Sequence, residues 1–233
     1  MEPADQHDAP RQARAIRSFV RRAGRITRAQ QRALDELLPR WGLPFTPRAL
    51  DLDAVFGRHA PRVLEIGFGD GATLLALARA RPEVDFLGIE VHPPGIGHCL
   101  LGIAAGGLTN LRLIAHDAVE VLQWQVPPDS LDELLLYFPD PWPKKRHHKR
   151  RLVQPAFVAL LATRLRPGGL LRIATDWEPY AEWMLAVLGA EPRLANLAPG
   201  GGYLDHTDRA TTRFESRGRR LGHRVFDLAY RRA

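Results

Sequence analysis

The sequence predicts an α/β fold, a Rossmann-like, doubly wound and mostly parallel sheet. Three observations predict it. From Arg62 onward, short apolar runs alternate with stretches of helical length. The first run leads into a turn with three alternating glycines, Gly67, Gly69 and Gly71. Acidic residues recur at the ends of successive runs, where such sheets bind their ligands.

The elements follow in order. Val63-Leu64-Glu65-Ile66 is a strand, Ala72 to Ala80 a helix and Asp85 to Val91 a second strand. Pro94 opens the next helix in its favoured first turn. Leu111 to Ala115 is a third strand and Leu134 to Phe138 a fourth. A helix from Leu152 to Leu165 stops at the breaker Arg166-Pro167-Gly168-Gly169. Leu170 to Ala174 is a fifth strand, and Trp177 to Leu188 a further helix. This series forms one domain over 61–233, preceded by a polar tail over 1–14, expected to be disordered, and a basic arm and linker over 15–60.

Composition narrows the function. A chain of 233 residues with 45% hydrophobic residues can bury a full core. The single cysteine, Cys99, excludes an internal disulfide and reads as a free core thiol in a reducing compartment. No Cys/His cluster has zinc-ligand spacing, so no metal is predicted. The start lacks the basic and apolar regions of a signal peptide. The longest stretch without Asp, Glu, Lys or Arg, from Val91 to Leu111, holds two prolines and five glycines and does not read as a membrane span. A cytoplasmic protein, monomer or homodimer, is expected.

The net charge of +7 is unevenly placed. Arg11, Arg14, Arg17, Arg21, Arg22, Arg25, Arg28 and Arg32 run without an acid between them, largely on one helical face. Eight like charges repel unless an anion arrives, so this stripe favours a polyanion over a merely solvated face.

The glycine turn and Glu90, 23 residues after Gly67, suit any nucleotide-like ligand with ribose hydroxyls. A nicotinamide dehydrogenase therefore competes at this point. Glu65, Asp117-Ala118 and Asp140 tip the choice, since each acid lies at another strand end. Such an acid-lined pocket suits S-adenosylmethionine, whose sulfonium and amino group are cationic, whereas Glu65 and Asp70 would repel a pyrophosphate near the glycine turn. For Asp117 the bland reading is a helix cap. A second competitor is a non-catalytic RNA-binding module on the same fold.

The most specific segment runs from Tyr137 to Arg151, YFPDPWPKKRHHKRR. Two prolines stiffen the turn that carries Asp140, and a dense cationic run then reaches for phosphates. Trp142 reads either as a base-stacking platform or as a packing wedge.

Here the sequence resembles the bacterial tRNA (guanine-N7)-methyltransferases over nearly the whole chain, from about Ile16 to Tyr230. The resemblance rests on Arg17-Ser18-Phe19-Val20-Arg21-Arg22, Glu65-Ile66-Gly67-Phe68-Gly69, Gly88-Ile89-Glu90-Val91-His92 and His116-Asp117-Ala118. Phe138 to Arg151, Ala174-Thr175-Asp176-Trp177 and Thr212-Arg213-Phe214-Glu215 complete it. It implies a Rossmann-like fold of the S-adenosylmethionine-dependent methyltransferase type and a tRNA partner, methylated at guanine 46 of the variable loop. It further implies that Glu65, Gly67, Gly69, Glu90, Asp117, Ala118 and Asp140 contact the cofactor, with Asp140 also catalytic. Lys144, Asp176, Thr212, Arg213, Phe214 and Glu215 would bind substrate, and Arg146, His147, His148, Lys149, Arg150 and Arg151 would contact RNA. Two departures from the family pattern are Ala210, where a proline is usual, and the extra proline in His92-Pro93-Pro94. For Asp176, helix capping competes with substrate binding.

Overall fold

The computed structural model describes residues 18–19, 24–205, 209, 215 and 224–233. Its elements are α1 (Arg28–Glu36), α2 (Leu38–Trp41), α3 (Leu52–Phe56), β1 (Arg62–Ile66), α4 (Ala72–Ala80), β2 (Asp85–Ile89), α5 (Pro93–Gly106), β3 (Leu111–Ile114) and α6 (Ala118–Trp124). There follow β4 (Leu131–Tyr137), a 3-10 helix (Lys145–Arg150), α7 (Pro155–Arg164), β5 (Leu165–Thr175), α8 (Glu178–Gly189), β6 (Leu194–Asn196), a short 3-10 turn (Pro199–Gly201) and β7 (Phe226–Arg232).

Seven strands form one sheet in the order β3-β2-β1-β4-β5-β7-β6. The pairs from β3 to β5 are parallel, and β7 pairs antiparallel with both β5 and β6. The strand order reverses between β1 and β4, so the switch-point crevice opens beyond their carboxyl ends.

Alternation along each strand divides the core. Leu64, Ile66, Leu134 and Leu136 point to one face and pack with Val158, Leu161, Tyr180 and Met184. Val63, Leu135 and Tyr137 point to the other and pack with Leu74, Cys99, Leu100 and Ile103. Cys99 is free and buried, as the composition suggested.

Local chemistry sets the helix ends. Thr27 and Gln30 form a reciprocal capping box at the start of α1. Pro93 and Pro94 occupy the first turn of α5, one residue earlier than expected, and left-handed Gly107 ends it. Residues 28–56, expected as arm and linker, form three short helices on the domain. A side chain at Gly97 of α5 would meet the Gln30 carbonyl of α1 at 2.7 Å, so the two helices pack backbone to backbone.

The helix expected over Leu152 to Leu165 begins later, at Pro155, because Pro155 takes its first turn. The breaker ends it, but the chain continues extended from Leu165. The sequence reading contained no strand beyond Leu188, whereas β6 and β7 close that edge of the sheet. No described helix is long and apolar enough to cross a membrane.

Candidate active site

A cleft of about 630 Å³ lies at the switch point. Its lining includes Gly67 from the turn after β1, Glu90 after β2, His116 and Ala118 after β3, and Tyr137 to Pro143 after β4. Four strand ends thus meet in one crevice; of the acids at those ends, Glu90 and Asp140 line it, and Glu65 and Asp117 do not.

The glycine turn has φ of 72° at Gly67, 60° at Gly69 and 77° at Gly71, a region that side chains disfavour. A Cβ at Gly67 or Gly69 would meet nothing within 4 Å, so the turn borders open space. A Cβ at Gly71 would strike the Cys99 sulfur at 2.5 Å. Two glycines therefore serve the curvature, and the third also serves packing.

The acids differ sharply in what they touch. Glu65 is 4% exposed, and its Oε2 has no hydrogen-bond partner among the described residues. Burial, then the charges of Glu90 and Asp70, push its carboxyl up to about 8. Glu90 accepts from the Gly69 N–H at 2.9 Å, Val91 N–H at 2.7 Å and His92 N–H at 3.0 Å. It ties the glycine turn to β2 and keeps about one of roughly four lone-pair sites for a ligand. Asp117 is the N-cap of α6 and accepts from the Val119 N–H at 2.9 Å, the capping role named as its bland reading.

Asp140 is exposed at the cleft, between two strained neighbours. Phe138 and Trp142 hold φ of 51° and 45°, which costs on the order of 1–3 kcal/mol each for non-glycine residues. Such strain persists where the surroundings over-determine the turn. Phe138 donates its N–H to Ala174 O at 2.8 Å, and the Trp142 indole donates to Ser18 O at 3.0 Å. His147 packs edge-on to Trp142 and the Arg150 guanidinium lies 5.1 Å from its ring centre. These contacts make Trp142 a wedge that packs the turn rather than a free platform.

Asp176 follows β5, and Trp177, not Asp176, occupies the N-cap of α8. Lys144 precedes the 3-10 helix and is exposed, as are Lys145, Arg146 and Lys149, while His147, His148 and Arg150 are half-buried. Arg151 departs from the expected RNA-contacting run: it is 4% exposed and gives its Nε–H to Pro141 O at 2.9 Å. Glu215, named as a substrate-binding residue by resemblance, is enclosed in this structure. It is 1% exposed and ion-paired with Arg209, which also donates to Asp227 Oδ1 at 2.5 Å. Thr212, Arg213 and Phe214 lie outside the described residues, as do the tail over 1–14 and Arg11, Arg14, Arg17, Arg21 and Arg22.

Sequence reasoning missed four parts of this site. Ser18 and Phe19 line the cleft, although Ser18 lies 124 residues from Trp142 along the chain. His116 also lines it and stacks on Phe45 with ring centres 3.8 Å apart. Arg209 lies over Tyr137 and Phe138, 5.3 and 5.6 Å from their ring centres. A lone serine, phenylalanine, histidine or arginine carries no spacing signal that would have assigned it. Among the described residues, no group of three or more His, Cys, Asp or Glu could hold a metal ion.

Residues 59–228 match the family model Methyltransf_4, described as "Putative methyltransferase". A tRNA (guanine-N(7)-)-methyltransferase of Paraburkholderia xenovorans is 56% identical over 234 residues, covering 99% of this chain and 89% of that one. The chain belongs to the tRNA (guanine-N7)-methyltransferase family. A relative of the same name from Bordetella pertussis is 57% identical over 219 residues, 94% of this chain and 85% of its own. Membership makes the chain a methyltransferase and removes the dehydrogenase alternative. Among solved structures, the 16S rRNA methyltransferase KamB aligns with a TM-score of 0.54 at 19% identity, over 78% of this chain and 93% of its own, a likeness of fold.

Proposed function

We propose that this enzyme transfers a methyl group from S-adenosylmethionine to N7 of guanine 46 in the tRNA variable loop, in the cytoplasm. The observation that carries the reading is the buried Glu65 under the glycine turn at the switch point, one of its oxygens without a hydrogen-bond partner among the described residues, with the exposed Lys144, Lys145 and Arg146 following directly on the cleft-lining Pro143. Glu65 fits a cationic group, the open space beside Gly67 and Gly69 fits close approach of a nucleoside, and among the described residues no lysine or arginine lines the cleft for a pyrophosphate.

When bound, S-adenosylmethionine supplies a methyl group on a cationic sulfur. Glu65 would hold its positively charged end, Glu90 would accept from ribose hydroxyls, and Ala118 would border the base alongside His116. Asp117 would contribute through the cap of α6, which fixes that backbone. Guanine N7 has a lone pair and loses no proton on attack, so alignment matters more than a strong base. Asp140 and Asp176 would hold the purine's N1–H and amino group and offset the positive charge arriving on the ring. Lys144, Arg146, His147, His148, Lys149 and Arg150 would receive phosphates.

The test uses tritiated methyl donor with a tRNA transcript and with the same transcript carrying 7-deazaguanine at position 46. The first should be methylated at that nucleotide. The second lacks the N7 lone pair, so it should bind and inhibit competitively yet accept no label. Label at the deaza nucleotide would overturn the assignment of N7. Asp140→Asn should lower turnover by about a hundredfold while tRNA affinity, dominated by phosphate contacts, changes little.

A further inference from the structure

We propose that Arg151 is a positioning residue, which clamps the Asp140 turn to Pro179 in the first turn of α8, just beyond Asp176, and so sets the spacing of the two acids around the substrate base. The inference rests on the methyl-transfer reading above and adds to it a residue that acts from behind the cleft.

The guanidinium reaches three segments at once. Its Nε–H goes to Pro141 O at 2.9 Å, the residue next to Asp140. Its Nη1 points to Pro179 O at 3.5 Å, a long contact, three residues after Asp176. Its Nη2 lies 3.3 Å from His148 Nε2, within the 3-10 helix that carries the exposed cations. Its carbon lies 4.8 Å from the centre of the Tyr180 ring. That ring is itself fixed, because its hydroxyl accepts from the Val153 N–H at 3.2 Å.

This is an unusual use of charge. Arg151 is 4% exposed, and its hydrogen bonds among the described residues go to two carbonyls and an imidazole. Burying a cation is costly unless its donors are satisfied, and a planar fork with five N–H groups can satisfy several acceptors in fixed directions. Both main carbonyls belong to prolines, whose φ is already locked, so pinning each carbonyl also fixes its neighbours. The Pro141 contact braces the strained stretch from Phe138 to Trp142, which local preference alone would relax. Tyr180 feels the charges of both Arg151 and Asp140. Burial first pushes its phenol up to about 12, Arg151 lowers it and Asp140 raises it, so cation and acid share one neighbour.

An RNA contact and a clamp behave differently under salt. Each lost phosphate contact lowers the slope of log affinity against log salt by about 0.7–0.9, whereas a lost clamp leaves it unchanged. Displacement of a reacting group by about 1 Å costs on the order of a hundredfold in turnover. The experiment measures kcat and KM for tRNA methylation, the salt slope of tRNA binding, S-adenosylhomocysteine binding and thermal melting in wild type, Arg151→Met, Arg151→Lys and Arg150→Met.

Arg151→Met keeps packing on Tyr180 and removes the fork. It should lose about a hundredfold in kcat, with KM, salt slope and S-adenosylhomocysteine affinity within about twofold of wild type. Arg151→Lys keeps the charge but not the fork, and should lose about tenfold in kcat with the same unchanged slope. Arg150→Met, in the half-exposed run, should flatten the slope and raise KM. A flattened slope with normal saturated turnover in Arg151→Met would make the residue a phosphate contact and overturn the clamp. Normal turnover in both Arg151 variants would overturn it too. If Arg151→Met does not fold, Arg151→Lys decides on the same two readouts. A wild type that leaves tRNA unmethylated would sink the functional reading itself, an outcome separate from any variant's behaviour.

Discussion

Glu65 and Glu215 are both buried carboxylates, 4% and 1% exposed, yet the fold treats them in opposite ways. Glu215 is paired with Arg209, whose guanidinium also holds Asp227 and covers the rings of Tyr137 and Phe138. Glu65 has an oxygen with no partner among the described residues, beside two further acids that raise its proton affinity. A buried charge that is paired has finished its work when the chain folds. One left unpaired costs stability and gains a partner on ligand binding. The contrast distinguishes a paired buried acid from an unpaired one without reference to either's position in a motif.

The largest expected effect breaks the paired side. Arg209→Met strands Glu215 and Asp227 in the interior and should cost about 3–5 kcal/mol, as removal of one partner of a buried pair does. For a chain of this length that is a fall of roughly 10 °C in melting temperature. A fall of about 1–2 °C would mean that Glu215 is solvated after all and closer to Glu65 in kind.

Glu65→Gln tests the unpaired side. It should weaken S-adenosylmethionine binding about 10- to 100-fold, the loss of a charge-assisted contact, measured by calorimetry. Unlike Arg209→Met it should leave the ligand-free protein as stable as wild type at neutral pH or more so. Undiminished donor affinity would remove Glu65 from the binding site.

The pH dependence sharpens the same point. The folded Glu65 carboxyl, near 8, holds its proton more tightly than an unfolded one near 4.5. Its contribution to stability is therefore fully present below about 4.5 and is lost as pH rises through about 8. Glu65→Gln should flatten this part of the melting profile. A cation beside Glu65 favours its ionised form, so donor binding below pH 8 should release a proton and tighten with rising pH. Calorimetry in buffers of different ionisation enthalpy would show it, and proton-neutral binding at pH 7 would contradict it.

The smallest effect concerns Asp117, an acid whose partner is a backbone N–H. Asp117→Ala should cost about 1 kcal/mol through the lost cap, and Asp117→Asn almost nothing. A large loss of donor affinity in Asp117→Asn, with unchanged melting, would move Asp117 from the structural to the binding group.

Much of this site was legible along the chain, for definite reasons. Short apolar runs and glycine turns placed β1 to β4 within about three residues and β5 over its carboxyl half, because strands buried on both faces need continuous apolar runs. Glu65, Glu90, Asp117 and Asp140 could be found as acids at strand ends, since parallel topology brings those ends to one edge. β6 was not legible because three residues carry no periodicity, and β7 because its alternating pattern ends in arginines. Helix α6 was hidden behind the acid that caps it.

The sequence by itself determined the doubly wound sheet, the glycine turn and the chemical class of the cleft, because these depend on local spacing and residue type. The tertiary structure decided which charges face water and which are enclosed. Arg150 and Arg151 are adjacent and identical in chemistry, yet one sits half-exposed over Trp142 and the other is buried over Tyr180. Burial and pairing depend on segments distant in the chain, such as Pro179 for Arg151 and Asp227 for Arg209. A run of like residues does not specify its own surroundings; the packing of the strand ends does.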